Sequence, residues 1–370
     1  MSNTDFIPQM RPLFGDGERA ELLSYLDEDG FFTEFKRTEA FEAEIARYTG
    51  ARHCVVVNNG TVSLTLAAVA LGIGPGDEVI VPDYTMIATP NSVQMLGARP
   101  VFVDVEPETL VMDLALAERA ITPRTKAIML VSANGRSPRA GIAAFEALSH
   151  RTGIPLIEDA AQSLGSWYEA DGRHERRHVG RAGRIGSFSF SAPKIISTGQ
   201  GGALITDDDA LASRLRKLKD FGRSGGGNDV HDSIGWNFKF TELQACVGLA
   251  QMRQLPDRVL RKKAIWSRYA ERLAGVDGLR LFGHDLTLCT PWFIDSRAER
   301  RDELAAHLKV RGIGTRTMYP PIHHQKAYDL PGHHPVAEGI GRDGLWLPSM
   351  IQLTDAQIDR ICDEIAAFYR

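Results

Sequence analysis

Lys194 is the only charged residue in the stretch 187–202, which reads SFSFSAPKIISTGQGG. A lysine in so apolar a run loses solvation, which disfavours its ammonium form and lowers its pKa. As a neutral amine it can attack a carbonyl and form a Schiff base. Gly199, Gly201 and Gly202 behind it let backbone approach a ligand closely. A lysine at a strand-to-loop junction can equally do no more than snorkel toward water, so other groups must decide. Two lie upstream. Gly60-Thr61 follows the apolar run His53 to Val57 and opens a helical stretch. Backbone N–H groups and a hydroxyl at a helix start suit a phosphate, although a plain turn with a helix cap reads the same way. Asp159 closes the run Ile154-Pro155-Leu156-Ile157-Glu158. A carboxylate fixed there could keep a pyridinium nitrogen protonated and make the ring an electron sink.

A rival chemistry is written at His174-Glu175-Arg176-Arg177-His178, which matches the HExxH pattern of zinc hydrolases. That pattern needs a helix with an apolar side. This run is charged throughout, lies between Gly172 and Gly180, and would set Arg176 and Arg177 beside a cation. It reads as a solvated basic loop whose arginines could meet a diphosphate, and no metal site is assigned. His323-His324 and His333-His334 are adjacent pairs whose rings are expected to point apart, with His333 and His334 at the surface.

The elements that must position these groups alternate. Helices are expected over 16–27 and 39–48, then a strand over 53–57 and a helix over 62–71. Strands follow at 78–81, 100–104, 126–131, 154–157, 185–190 and 203–206, with Pro90 opening a helix to Leu96 and another passing through Phe145 and Leu148. A basic helix over 209–221, a glycine-rich mobile loop at 223–228 and a helix over 240–254 complete the first part. Pro256 marks the expected boundary between a large domain, 1–255 with an N-terminal arm, and a smaller α+β domain, 256–370. The latter closes on a helix capped by Thr354 with Ile358, Ile361 and Ile365 on its buried face. This is an α/β chain with a mostly parallel sheet covered on both faces, and such sheets bind ligands at the carboxyl ends of their strands. All three candidate groups fall there. A phosphate cradle, a carboxylate and a Schiff-base lysine on a doubly wound sheet are together what a pyridoxal phosphate site requires.

The wider composition agrees. With 370 residues, 43% hydrophobic and 24% charged, the chain is long enough for two domains. A net charge of −4 gives no reason to expect nucleic acid or an anionic membrane surface as a partner. The N-terminus lacks the pattern of a secretory signal, and no apolar run approaches the ~20 residues of a membrane span. Four scattered cysteines, Cys54, Cys246, Cys289 and Cys362, fit reduced core thiols in a cytoplasmic protein.

Ordered motifs carry a family resemblance over nearly the whole chain. They are Asn59-Gly60-Thr61, the run 76–82 (GDEVIVP), the run 157–162 (IEDAAQ), Ser187-Phe188-Ser189-Phe190 ahead of Lys194, and Gly199-Gln200-Gly201-Gly202. Asn237-Phe238, Thr241-Glu242-Leu243 and the run 319–323 (YPPIH) complete them. With these the chain resembles the DegT/DnrJ/EryC1/StrS sugar aminotransferases, within the type I pyridoxal-phosphate transferase fold. The resemblance implies that Lys194 holds pyridoxal 5'-phosphate and later moves the proton, and that Asp159 pairs with the pyridine nitrogen. Gln162 would lie near the ring hydroxyl, and Gly60, Thr61 and Ser189 would hold the phosphate. Asn237 would reach the cofactor of a second subunit, which implies a homodimer with shared sites. Tyr319 and His323 would lie near the sugar. The implied partners are glutamate as amino donor and a nucleotide-linked keto-sugar as acceptor. Related dehydratases carry histidine where Lys194 stands, so lysine favours transamination.

Two departures stand out. The family's ring-covering aromatic aligns with Met86 in Asp83-Tyr84-Thr85-Met86, so either Met86 or Tyr84 takes that place. A family Val-His-Leu-Tyr-Gly stretch is Val131-Ser132-Ala133-Asn134-Gly135 here. These departures motivate one alternative, a pyridoxal-phosphate-binding regulatory or non-transaminating protein of the same fold.

Overall fold

The computed structural model describes residues 6–28, 30–169, 176–225 and 229–370. Two helices, α1 (Asp16–Asp27) and α2 (Lys36–Thr49), precede the alternating part. That part runs β1 (His53–Val57), α3 (Gly60–Ala70), β2 (Glu78–Pro82), α4 (Ala88–Gln94), β3 (Arg99–Val103), α5 (Leu114–Arg119), β4 (Thr125–Val131), α6 (Ile142–Thr152) and β5 (Leu156–Asp159). A small hairpin of β6 (Trp167–Tyr168) and β7 (Arg177–His178) follows, then β8 (Ile185–Ser189), β9 (Gly202–Thr206), α7 (Asp209–Lys219) and α8 (Glu242–Arg272). The remainder is β10 (Leu279–Leu281), β11 (Ile294–Ala298), α9 (Arg301–Val310), β12 (Arg316–Thr317), α10 (Pro335–Asp343), β13 (Gly344–Leu347) and α11 (Asp355–Tyr369).

Seven strands form one sheet in the order β1-β9-β8-β5-β4-β2-β3. The pairs from β8 to β3 are parallel, and β9 alone runs against both its neighbours. Both faces are buried, and alternate residues take opposite sides. Cys54, Val56, Ile80, Ile128, Leu130 and Ile205 enter one core with α2, α6 and the first half of α8. Val55, Val57, Val79, Val81, Met129 and Leu204 enter the other with α3 and α7. That two-sided burial is why each strand reads as an uninterrupted apolar run. A second, antiparallel sheet, β10-β11-β13-β12, packs on α9, α11 and the second half of α8 around a third core. The fold is thus the expected large parallel-sheet part with a smaller α+β part.

The helix expected over 240–254 does not stop before Pro256. α8 runs through Pro256 for 31 residues. A proline inside a helix loses a hydrogen bond and clashes with the preceding turn, at a cost of about 3 kcal/mol. Burial offsets it, since Leu249, Met252 and Leu255 pack in the first core and Ile265 and Tyr269 in the third. The N-terminal arm crosses to the smaller part, with Ile7 N–H on Gly312 O at 2.8 Å and Gly314 N–H on Ile7 O at 2.7 Å. No helix among the described residues is long and apolar enough to cross a membrane.

Candidate active site

Strand register sets the site. Val131, Asp159 and Ser187 lie side by side at the ends of β4, β5 and β8, and Ser189 pairs with Gly202, which pairs with Val57. After β8 the chain loops out and returns, with Phe190 N–H on Gly201 O at 2.8 Å and Thr198 N–H on Phe190 O at 3.0 Å. Lys194 sits on this closed loop. Its Nζ lies 4.3 Å from the centroid of the Trp292 ring. Lys194 is half-buried by surface, yet dense protein around the amine lowers its pKa from 10.5 to about 8, and Asp159 only partly opposes this. Asp159 is buried, and burial raises its pKa against the Thr89 hydroxyl, the Ala161 N–H and Lys194. Thr89 Oγ1 donates to Asp159 Oδ2 at 2.7 Å, and the Ala161 N–H donates to Oδ1 at 3.1 Å. Desolvation therefore outweighs the attraction of the two groups for each other. An amine that can be neutral near pH 8 stands beside a carboxylate with fixed orientation.

The anion end is built by α3. Asn59 caps the helix through Oδ1 on the Val62 N–H at 2.9 Å. The first-turn N–H groups of Gly60 and Thr61 have no intrahelical acceptor. A Cβ on Gly60 would meet Ser189 Cβ at 2.7 Å, so glycine lets the helix start press against Ser189. Gly60, Thr61 and Ser189 thus form one cradle at the positive end of the helix. Amine, carboxylate and cradle together suit an aldehyde, a basic ring nitrogen and a phosphate on one small molecule. Pyridoxal phosphate has all three.

The family-level comparison follows this geometry. The profile of the DegT/DnrJ/EryC1/StrS aminotransferase family matches residues 15–366. The chain belongs to this family. It is 35% identical to the GDP-perosamine synthase of Caulobacter vibrioides, covering 98% of each chain. It is 39% identical to the dTDP-3-amino-3,4,6-trideoxy-alpha-D-glucose transaminase of Streptomyces venezuelae over 88% of this chain and 86% of that one. The X-ray structure of S. venezuelae DesV in complex with a ketimine intermediate superposes with a TM-score of 0.89 at 36% identity, covering 98% of this chain and 99% of that one. As a member of an aminotransferase family the chain is an enzyme.

Within this family frame the departures acquire places. Tyr84 is buried and packs on Tyr319 at 5.8 Å between centroids, whereas Met86 is 45% exposed. Asn134 is a clamp. Its Oδ1 accepts the N–H groups of Trp292 at 2.6 Å and Phe293 at 2.8 Å, and its Nδ2 donates to Phe293 O at 2.9 Å. Its own N–H donates to Gln162 Oε1 at 2.7 Å. Asn134 does this at φ 55°, a left-handed conformation that asparagine tolerates, and is followed by Gly135 at φ 82°. A side chain on Gly135 would strike Thr290 O at 2.7 Å. Trp292 in turn donates Nε1–H to Pro193 O at 2.7 Å, beside Lys194. The unusual stretch therefore holds the wall of the lysine site.

Trp292, Thr89 and Asn134 were not among the residues expected from sequence as site residues. Thr85 and Thr89, four apart and 2.9 Å from each other, offered a readable signal, whereas Trp292 lies far along the chain with none. Of the other expected residues, Tyr319 stays within electrostatic reach of Asp159, whereas Asn237 and His323 have partners of their own. Asn237 is exposed, in a bridge with Asp220. Tyr319 contacts Tyr84 and Trp346. His323 is buried with Asp83, His324 and His334 around it, and no contact joins it to Lys194 among the described residues. The adjacent pair was expected to splay, yet the His323 and His324 rings lie 4.0 Å apart because the chain turns there. His334, expected at the surface, is half-buried against His323, while His333 is exposed.

The zinc-hydrolase pattern dissolves. His174 and Glu175 lie outside the described residues, and Arg177–His178 is a strand rather than a helix. His178 is buried, its Nδ1–H on Val179 O at 2.6 Å and its Nε2 accepting Gly165 N–H at 3.0 Å. Both nitrogens are used, and burial lowers the ring's pKa to about 4. Of the run's two arginines, Arg177 pairs with Glu146 and Arg176 lies over the Trp167 ring at 4.6 Å, while the neighbouring Arg181 and Arg184 pair with Asp207 and Asp208.

Proposed function

We propose that the protein is a pyridoxal-phosphate-dependent aminotransferase that moves an amino group from glutamate to a nucleotide-linked keto-sugar. The observation that carries this is the Lys194 amine, lowered to about pKa 8, beside the buried Asp159 carboxylate. Bound there, pyridoxal phosphate supplies an aldehyde for imine exchange and a ring that takes up electrons when a substrate C–H bond breaks. The chain's own residues do the rest. Lys194 anchors the cofactor and then, as a free amine, carries the proton between carbons at Nζ. Asp159 keeps the ring nitrogen protonated, and Thr89 keeps Asp159 aimed. Gly60, Thr61 and Ser189 hold the phosphate. Gln162, with its Oε1 already engaged, has its Nε2 to offer the ring hydroxyl. Of the two residues weighed for covering the ring, Met86 is favoured, since Tyr84 is packed against Tyr319. Tyr319 faces the sugar in this reading. His323 has other contacts and is treated below.

The nucleotide-sugar acceptor rests on the two curated relatives described above. A homodimer with shared sites is supported by an apolar surface. Phe31 and Phe32 are exposed at 65% and 60%, and Ile234 and Trp236 at 81% and 38%, the last pair next to the exposed Asn237 in sequence. Large apolar side chains so exposed, in pairs along the chain, suit an interface. The four buried free thiols suit a cytoplasmic location.

The test is the visible absorption of the purified chain with pyridoxal phosphate, before and after glutamate, with Lys194→Ala in parallel. A band that glutamate bleaches, and that borohydride fixes in the native chain alone, is expected. No band would overturn the reading. A band that glutamate and other amino donors leave unchanged would favour the regulatory alternative.

A further inference from the structure

Away from the lysine site, every group of three metal-capable side chains found among the described residues contains His323. One ligand atom each from His323, His324 and Glu338 lie within 4.8 Å of one another, and the same holds for Asp83, His323 and His334. Asp83, just past the end of β2, takes the His323 N–H at 2.9 Å and the His323 Nδ1–H at 2.6 Å. A carboxylate on one ring nitrogen fixes the tautomer and turns the lone pair of the other outward, as it does behind metal-bound imidazoles. The other nitrogen, Nε2, is buried and has no hydrogen-bond partner. Glu338 Oε1 stands 3.8 Å from it, too far for a hydrogen bond. The rings of His324 and His334 close around it, at 4.0 and 4.6 Å between centroids.

Charge points the same way. Asp83 and Glu338 face the imidazoles, and Asp104 adds a third carboxylate by capping α10 at the Val336 and Ala337 N–H groups, at 2.8 and 3.0 Å. Glu338 Oε1 also accepts the His334 N–H at 2.9 Å and stands 3.3 Å from the exposed His333 Nδ1, so the surroundings of His323 hold three carboxylates and a divalent cation would be attracted there.

We propose that His323 Nε2, His324 and Glu338, with Asp83 orienting His323 and water completing the shell, form a site for a divalent transition cation of the zinc class. Imidazole and carboxylate donors suit that class. Bonds of 2.0–2.1 Å place tetrahedral ligands about 3.3 Å apart, so the donors must close by about 1.5 Å. That is an upper bound, since Glu338 Oε1 already stands 3.8 Å from His323 Nε2; the exposed His324 must turn inward and Glu338 must share the oxygen that now accepts the His334 N–H. The cation ties the turn at 322–325 to the start of α10 and to the end of β2. It shares no residue with the Lys194 cradle and does not depend on the proposed transamination.

The test uses the full chain without an affinity tag, stripped with EDTA and dialysed against zinc chloride, with bound zinc measured by mass spectrometry. About one zinc per chain is expected. X-ray absorption at the zinc edge should show imidazole nitrogen and oxygen and no sulfur. The double substitution His324→Ala with Glu338→Gln removes two ligands and should weaken binding by more than the roughly 10–100-fold that loss of an outer-shell partner costs. His174→Ala, in the HExxH run, should leave it unchanged. Absence of zinc from the native chain overturns the proposal. So does full retention in the double variant, loss in His174→Ala, or sulfur in the absorption spectrum.

Discussion

Burial lowers three lysines in this protein, and the two lowered furthest, Lys194 and Lys262, sit in unlike regions. Lys194 stands at the carboxyl ends of the sheet with a pKa of about 8, beside Asp159 and under the Trp292 ring. Lys262 lies within α8, 5% exposed and lowered to about 7, its Nζ bonded to Ser349 O at 2.7 Å. By pKa alone Lys262 is the better nucleophile. Yet its amine is tied to a backbone carbonyl, and the cause of its shift is burial alone. Lys194 has a carboxylate nearby, a loop that returns on itself, and the start of α3 pressed against Ser189 at the end of the strand that leads into that loop. A depressed pKa marks desolvation, and only the company of other groups converts it into chemistry.

The largest test of that contrast removes each amine. Lys194→Ala should lose transaminase turnover by about 10³-fold or more and take no borohydride-fixed label from pyridoxal phosphate. Lys262→Met should keep label and turnover within a few-fold. A label found on Lys262 by peptide mapping would break the comparison. Next, Asp159→Asn keeps the shape but removes the charge. A fall in kcat of about 10²-fold is expected, the scale of a lost preorganised electrostatic partner, with the Lys194 label retained.

The third test is on stability. Asn134→Ala strands the buried N–H groups of Trp292 and Phe293, at about 1–3 kcal/mol each, and puts alanine at a left-handed φ. Thermal melting should show a loss of several kcal/mol. Asn134→Asp, which keeps the acceptor, should recover part of it, and equal damage in both would refute the clamp. The smallest effect concerns pH. Both lysines bind their proton more weakly when folded, so between about pH 7 and 10.5 the unfolded chain holds more protons. Stability from these groups therefore rises with pH through that window, by at most about 1.4 kcal/mol per unit and group. Denaturant melts of native chain and Lys262→Met should converge as pH rises from 7 to 10, and parallel curves would show that Lys262 is not desolvated. Labelling of Lys194 should rise with pH with a midpoint near 8 and level off about a unit above it, instead of showing a midpoint near 10.5.

The legible parts of the molecule were those that short-range physics decides. Burial on both faces makes the strands of the large sheet apolar runs, and glycine, proline and capping residues punctuate them. The reading of Thr354 as a helix cap holds, with its hydroxyl on the Gln357 N–H at 3.2 Å. Lys194, Asp159 and Gly60-Thr61 were legible because each ends or follows such a run. Pro256 misled, because local propensity says nothing of two cores that hold a helix straight from both ends. Sequence alone thus determined the alternating α/β architecture and the placement of Lys194, Asp159 and Gly60-Thr61 at or just past strand ends, since residue type and position along a strand specify them. Tertiary structure alone decided that Trp292 covers Lys194, that Asn134 holds Trp292, and that His323, His324, His334 and Glu338 converge behind Asp83. Those contacts join residues distant in the chain, with no spacing to announce them, and become visible only when sheet register and turn direction fix which side chains meet.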